Sequence, residues 1–246
     1  MVLPIAVALP LGLAVGFAPG TATARCLVPR MSTLYDVPVS NHGARVRFLI
    51  YKLGLEDEVK VVSPMELGGL RSEEYLALNP QGKMPLLVEN DGSAVWESDA
   101  ICRHLLEKYS NPPSGQSLWP ADLAARTTSE LFCRLHDAYI GPIQGCIYKP
   151  APPFGRFGTR RAALQELITQ LAVAEDLCDT TGPYLTGDTF TLADATLFPT
   201  LVFIVHVIAI RATHPACRAR CPRRGAQPAR PIAHPALRVR ADAAQV

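Results

Sequence analysis

Two short runs carry residues whose types and spacing suit the capture of a small anionic peptide. The first is Asn79-Pro80-Gln81-Gly82-Lys83-Met84-Pro85-Leu86-Leu87, and the second is Glu97-Ser98-Asp99-Ala100-Ile101. The first reads as a turn delivering a basic stretch into an X-Pro bond and an apolar strand. Proline has no amide hydrogen and cannot sit inside a sheet, so Pro85 is expected at a strand entrance. A cis bond there would turn the Met84 backbone outward and free one N–H and one C=O to pair with an extended peptide. The second run opens an apolar helix, and first-turn amides form a ready anion site. A backbone clamp and a carboxylate pocket, brought together, describe a receptor for a small anionic peptide.

The elements around these runs follow from pattern and punctuation. Ser32 to Asp36 is a short strand candidate. Asn41-His42-Gly43 is a turn before an amphipathic run that ends at Gly54, and Val59 to Val62 is a second strand. Met84 to Glu89 and Ala94 to Trp96 flank the hairpin signal Asn90-Asp91-Gly92. A helix from Ser98 to Tyr109 closes the unit. Strand, helix, strand, hairpin and helix describe a thioredoxin-like α/β domain over residues 33–110. After the linker Asn111-Pro112-Pro113-Ser114-Gly115, helices are expected over Ala121–Ile147, Arg160–Asp179 and Leu192 to about His206. The fold class is therefore α/β plus all-α, with an all-helical domain over 118–210.

Composition limits the function classes. The 246 residues are 48% hydrophobic with net charge +2, which argues against a dedicated nucleic-acid binder. Arg211 to Val246 holds eight arginines and one acid, a net +7, so residues 1–210 sum to −5. Residues 211–246 are rich in Arg, Pro and Ala and read as a disordered tail without an apolar face. The apolar surface of the helix from Leu192 is then expected to stay partly uncovered. Residues 1–30 read as a leader or as an extension preceding Met31. They are too short and too Pro-broken for a stable membrane span. Phe17-Ala18-Pro19 and the acid-free stretch after it are similar to plastid leaders, so a plastid location stands beside a cytoplasmic one with translation from Met31. The seven scattered cysteines form no CxxC pair and fit reduced thiols, and Cys217, Cys221, His214 and His234 match no common metal-finger spacing.

NPQGKMPLL with ESDAI resembles the glutathione-binding half of the cytosolic glutathione S-transferase family. Gly187-Asp188-Thr189-Phe190-Thr191-Leu192-Ala193-Asp194-Ala195 resembles the start of the core helix in that family's second domain. The resemblance covers about Thr33 to Val205. It implies glutathione as co-substrate, a small hydrophobic electrophile as the other substrate, a role in detoxification and a homodimer. Val39-Ser40-Asn41-His42-Gly43-Ala44-Arg45-Val46 resembles the serine-type classes (theta, zeta, phi or related), in which a Ser precedes an Arg-Val pair by this interval. It makes Ser40 the thiolate donor, with helix capping as its plainer role and Tyr35 as the weaker alternative. Met84 and Pro85 are implied to clamp the cysteinyl unit, Glu97 and Ser98 to bind the γ-glutamyl end, and Gln81 and Lys83 to reach the glycine carboxylate. Asp99 is implied to reach glutathione held by a partner subunit. Thr191 and Asp194, Thr-x-x-Asp before an apolar run, read as a structural cap. The family also uses its domain pair without turnover, so a glutathione-binding or protein-interaction module is the alternative function.

Overall fold

β1 (Ser32–Tyr35) is the strand on which the sheet is built. It pairs in parallel with β2 (Val59–Val62) and antiparallel with β3 (Leu86–Val88), which pairs antiparallel with β4 (Ala94–Trp96). The order is β2-β1-β3-β4. A parallel pair needs a crossover, and α1 (Asn41–Leu53) supplies it. In the computed structural model residues 31–213 are described. The readings of residues 1–30 and of nearly all of 211–246 lie outside them, with Cys26, Cys217, Cys221, His214 and His234.

Register assigns each side chain its face. Leu34 lies opposite Leu87, and both are fully buried with Val46, Leu49, Ile101 and Leu105 of α1 and α3 (Ser98–Lys108). The next pair, Tyr35 opposite Leu86, faces the other way and packs with Tyr75 and Leu67, as the two-residue period of a strand requires. The sequence reading assigned no element to residues 63–78. They form a 3-10 turn (Pro64–Leu67) and the short α2 (Glu73–Leu78), each capped by a serine. Six residues are under two turns, too few for a helical period to be legible.

α1 ends at Gly54 as its sequence suggests but starts earlier, because Asn41-His42-Gly43, expected as a turn, form its first turn behind the Ser40 cap. The Ser40 hydroxyl accepts from the Gly43 N–H at 3.0 Å, and Gly54 closes the helix at φ 71°. Gly43 is required by its neighbour, because a Cβ there would run into the Asp36 carboxylate.

The helical half departs from expectation at one place. The single helix expected over Ala121–Ile147 is α4 (Leu123–Leu135), then a π turn (His136–Ile140) and a 3-10 segment (Gly141–Ile147). Pro142 lacks the N–H that a continuing helix needs. α5 spans Arg160–Leu177, and α6 spans Leu192–Thr213 with Pro199 inside it, longer than expected because the apolar run continues past His206 without a further proline or glycine. By length and composition α6 could cross a membrane. Its first half is instead the core of the helical part: Leu192, Ala193, Ala195 and Leu197 are buried, and α6 packs on α1 and α4. Farther along, Phe198, Val202, Val205 and Ile208 are exposed.

Asp194 organises the start of α6. Its carboxylate accepts from Thr191 N at 2.8 Å and from Leu185 N at 2.9 Å, tying the preceding loop to the helix. Asp194→Ala leaves two buried donors without an acceptor and is expected to cost about 2–4 kcal/mol. Urea denaturation checks this, and an unchanged midpoint would show the carboxylate to be dispensable.

Candidate functional site

The turn before β3 is locked by side chains that point into it. Asn79, 2% exposed, donates from Nδ2 to the Lys83 carbonyl at 2.7 Å and accepts from Gln81 N at 3.1 Å. The Tyr75 hydroxyl donates to the same Lys83 carbonyl at 2.7 Å. Both lone pairs of that oxygen are thus used, and the peptide plane leading into Met84 cannot swing. Burial pushes the Tyr75 phenol up to about 12, so it stays a donor. Gly82, at φ 58°, turns the chain where a side chain would meet the Leu70 carbonyl. The Met84–Pro85 bond is cis. Among the described residues the Met84 N–H and C=O have no backbone partner. Tyr75 and Asn79 were not singled out in sequence, although Asn79 belongs to the motif.

Beside this clamp begins α3. Ser98 is its first residue and is buried, so the free amides of the first turn open next to it. Glu97, just ahead, has φ 72°, the one positive value at a non-glycine among the described residues. Such a conformation costs about 1–3 kcal/mol and persists where the surroundings impose it. Met84, Pro85, Glu97, Ser98, Lys83, Asn79 and His42 line one cavity of about 130 Å³.

A second, larger cavity of about 620 Å³ adjoins it. It is lined by Ser40, Asn41 and His42 around the start of α1, by Lys83 and Met84, which the two cavities share with His42, and by Gly141, Gln144, Tyr148 and Phe203 of the helical half. Ser40 therefore both caps α1 and faces this space. As a cap its oxygen accepts, which leaves the O–H proton for a ligand. Tyr35 lines neither cavity. It packs edge-on to Tyr75, and burial, with Glu66 and Glu74 nearby, raises its phenol pKa, which weakens it as a thiolate stabiliser.

His42, unremarked in sequence, borders both cavities. Its ring stands edge-on to His136 with centroids 5.8 Å apart. Crowding by protein, then the charges of His136, Arg45 and Lys83 against that of Asp137, lower its pKa and favour the neutral ring. Gln81 and Asp99 are placed elsewhere. The Gln81 side chain is on the exposed turn outside both linings. Asp99 is bonded to Arg45 at 2.6 Å and to Arg103 at 2.7 Å.

Arg45 is 1% exposed and holds two carboxylates, Asp99 of α3 and Asp137 of the π turn, the latter at 3.0 and 3.2 Å. Asp137 also meets His136 Nδ1 at 2.8 Å, and His136 Nε2 meets Thr200 of α6 at 2.8 Å. This chain ties the thioredoxin-like half to the helical half directly behind the cavities. Among the described residues no cluster could hold a metal ion, and Cys102, Cys133, Cys146 and Cys178 are free thiols whose pKa values burial raises.

Comparison with known proteins gives a consistent picture. Residues 34–113 match the family model of the glutathione S-transferase N-terminal domain, and residues 157–219 that of the C-terminal domain. Glutathione S-transferase 3 of Zea mays is 30% identical over 196 residues, covering 77% of this chain and 83% of that protein. The transcriptional regulator URE2 of Saccharomyces cerevisiae is 31% identical over 94 residues, 37% of this chain and 26% of that protein. Two solved structures share the fold: a glutathione S-transferase domain-containing protein of Marinobacter aquaeolei (TM-score 0.57, 22% identity, covering 75% of this chain and 99% of that one) and Ure2p in complex with glutathione (TM-score 0.58, 21% identity, 72% and 81%).

Two expectations concern the stability of this region. Glu97→Gly removes the positive-φ penalty and is expected to stabilise the fold by about 1 kcal/mol in thermal unfolding, whereas a loss would mean that the carboxylate itself holds the turn. Burial alone would raise the Asp137 carboxyl, but His136 and Arg45 hold it down at about 2. A depressed carboxyl pKa contributes stability above the unfolded value near 3.9, and that contribution is lost as pH falls toward about 2. Urea midpoints taken from about pH 5 downward should therefore fall more steeply for the native chain than for Asp137→Asn, itself less stable at neutral pH by about 2–4 kcal/mol. Parallel curves would exclude the linkage.

Proposed function

The chain belongs to the glutathione S-transferase family, and we propose that it is a glutathione transferase joining the glutathione thiolate to small hydrophobic electrophiles. The observation that carries this reading is that three groups suited to the three tasks line two adjoining cavities. The carboxylate-binding start of α3 and the Met84 clamp share the smaller cavity, and Ser40 faces the larger cavity that shares Met84.

In this reading the γ-glutamyl carboxylate sits against Ser98 and the first-turn amides of α3, with Glu97 turned to the ammonium group. The cysteinyl unit pairs with the Met84 N–H and C=O as an added strand. Lys83 reaches the glycine carboxylate, with Gln81 at the rim. The sulfur then projects past Met84 into the larger cavity. A free thiol with pKa near 8.5 is only a few per cent ionised at neutral pH. The Ser40 O–H donates to the sulfur and stabilises the anion, and the apolar and aromatic walls contributed by Leu70, Tyr148 and Phe203 receive the electrophile. Asp99, engaged by Arg45, acts within the chain as a positioning residue for α3. In a homodimer, the assembly the family resemblance implies, it would also face the second copy.

A non-catalytic reading is favoured by one observation, the similarity over 94 residues to the transcriptional regulator URE2. It keeps glutathione binding and gives up turnover, so the two readings part at Ser40. Ser40→Gly removes the hydroxyl while costing the α1 cap only a few tenths of a kcal/mol. Its expected effect is a fall in kcat of about 100-fold with glutathione affinity nearly unchanged, and an upward shift of the thiolate absorbance titration. A titration curve identical to that of the native chain would remove Ser40 from the chemistry, and absence of turnover with glutathione still bound would favour the binding module.

A further inference from the structure

We propose that Gln144 selects the electrophile, favouring conjugated carbonyl compounds by donating a hydrogen bond to their oxygen. The inference rests on the transferase reading and names the substrate class of its larger cavity. Gln144 is 7% exposed, lines the same cavity as Ser40, and its Nε2 is buried without a hydrogen-bond partner among the described residues. Buried amide donors are almost always bonded, so an unbonded one at the wall of a cavity calls for a ligand. The last torsion of a glutamine is soft, and a turn about it swings the NH2 to an acceptor in the cavity.

The backbone aims the residue correctly. Gly141 and Gln144 lie three apart on a 3-10 segment, where side chains three apart eclipse. A Cβ on Gly141 would meet the His136 carbonyl at 3.2 Å, His136 Cε1 at 3.7 Å and His42 Cε1 at 3.9 Å, so this face of the segment lies where the π turn and the start of α1 come together. The remaining wall is largely apolar: the Tyr148 and Phe203 rings meet edge-to-face at 5.4 Å, and Leu70 lies on the same lining. An electrophile bound there carries a hydrophobic body with one acceptor oxygen facing Gln144 and a carbon facing the sulfur. A conjugated enone or enal has this form. The thiolate sulfur bonds to its β-carbon, the π pair moves onto the carbonyl oxygen, and the Gln144 N–H holds that oxygen as charge develops. Solvent then protonates the α-carbon, replacing the proton that the thiol released to solvent. No oxidant or reductant is needed.

The test uses two glutathione thioethers of equal length, one the adduct of a small enone with its ketone intact and one a simple S-alkyl chain. Calorimetry on the full chain should show the ketone adduct binding about tenfold tighter, the worth of one hydrogen bond. Gln144→Leu, which keeps bulk, and Gln144→Met, which keeps length but has no N–H donor, should each abolish that preference while leaving the S-alkyl adduct and free glutathione unchanged. In parallel, kcat/KM for an enone should fall about tenfold in Gln144→Leu, and that for a benzyl halide should hold. A preference that is absent in the native chain, survives in both variants, or disappears through equal weakening of both adducts overturns the assignment. Failure of free glutathione to bind the native chain would instead overturn the transferase reading beneath it.

Discussion

The Arg45 guanidinium, buried on α1 between Asp99 and Asp137, is the contact on which the rest of the arrangement depends. Burial works against its charge. The two carboxylates, Asp99 and Asp137, outweigh that cost and keep it firmly protonated. Removing opposite charges from water gains little net stability, so the worth of these contacts lies in geometry: one guanidinium fixes two carboxylates on different elements. Asp99 fixes α3, whose first turn carries Ser98. Asp137 fixes the π turn, after which Gly141 and Gln144 join Ser40 in lining the larger cavity. One side chain thereby sets the distance between the half that would hold the peptide and the half that would hold its reaction partner.

A second constraint works at shorter range. The peptide before Met84 is held by Tyr75 and Asn79 through the Lys83 carbonyl, and Tyr75 is in turn buried against Tyr35 and Leu86 on the lower face of the sheet. The strand clamp is therefore an outgrowth of the core, positioned by packing before any ligand arrives. Rigid placement of this kind reduces the ordering cost of binding an extended peptide. The positive φ at Glu97 is the counterpart on the α3 side, a local cost carried where a carboxylate and a ring of free amides are presented together.

The elements that carry a strong local signal were legible in sequence. β1, α1, β2, the β3–β4 hairpin and α3 are close to their expected bounds, because alternation, turn chemistry and caps act over a few residues. The Thr191–Asp194 cap was legible for the same reason. The 3-10 turn and α2 between residues 64 and 78 were not, being too short for a period to form. The break of the fourth helix into π and 3-10 turns was also unreadable. Gly141-Pro142 marks a disturbance, but its form depends on His136 and Asp137 reaching Thr200 and Arg45.

What the sequence determined by itself is the order of the strands and longer helices and the local turns, caps and X-Pro bond, since these are properties of neighbours along the chain. Which side chains meet across the molecule was decided by tertiary structure. Ser40, Met84 and Ser98 are brought to adjoining cavities, while Tyr35 packs into the far face and Asp99 into the arginine network. His42 and Gln144 become site residues through packing alone. Contacts between residues about fifty to one hundred apart leave no local pattern. They arise only when burial of the sheet and of α6 presses the two halves together.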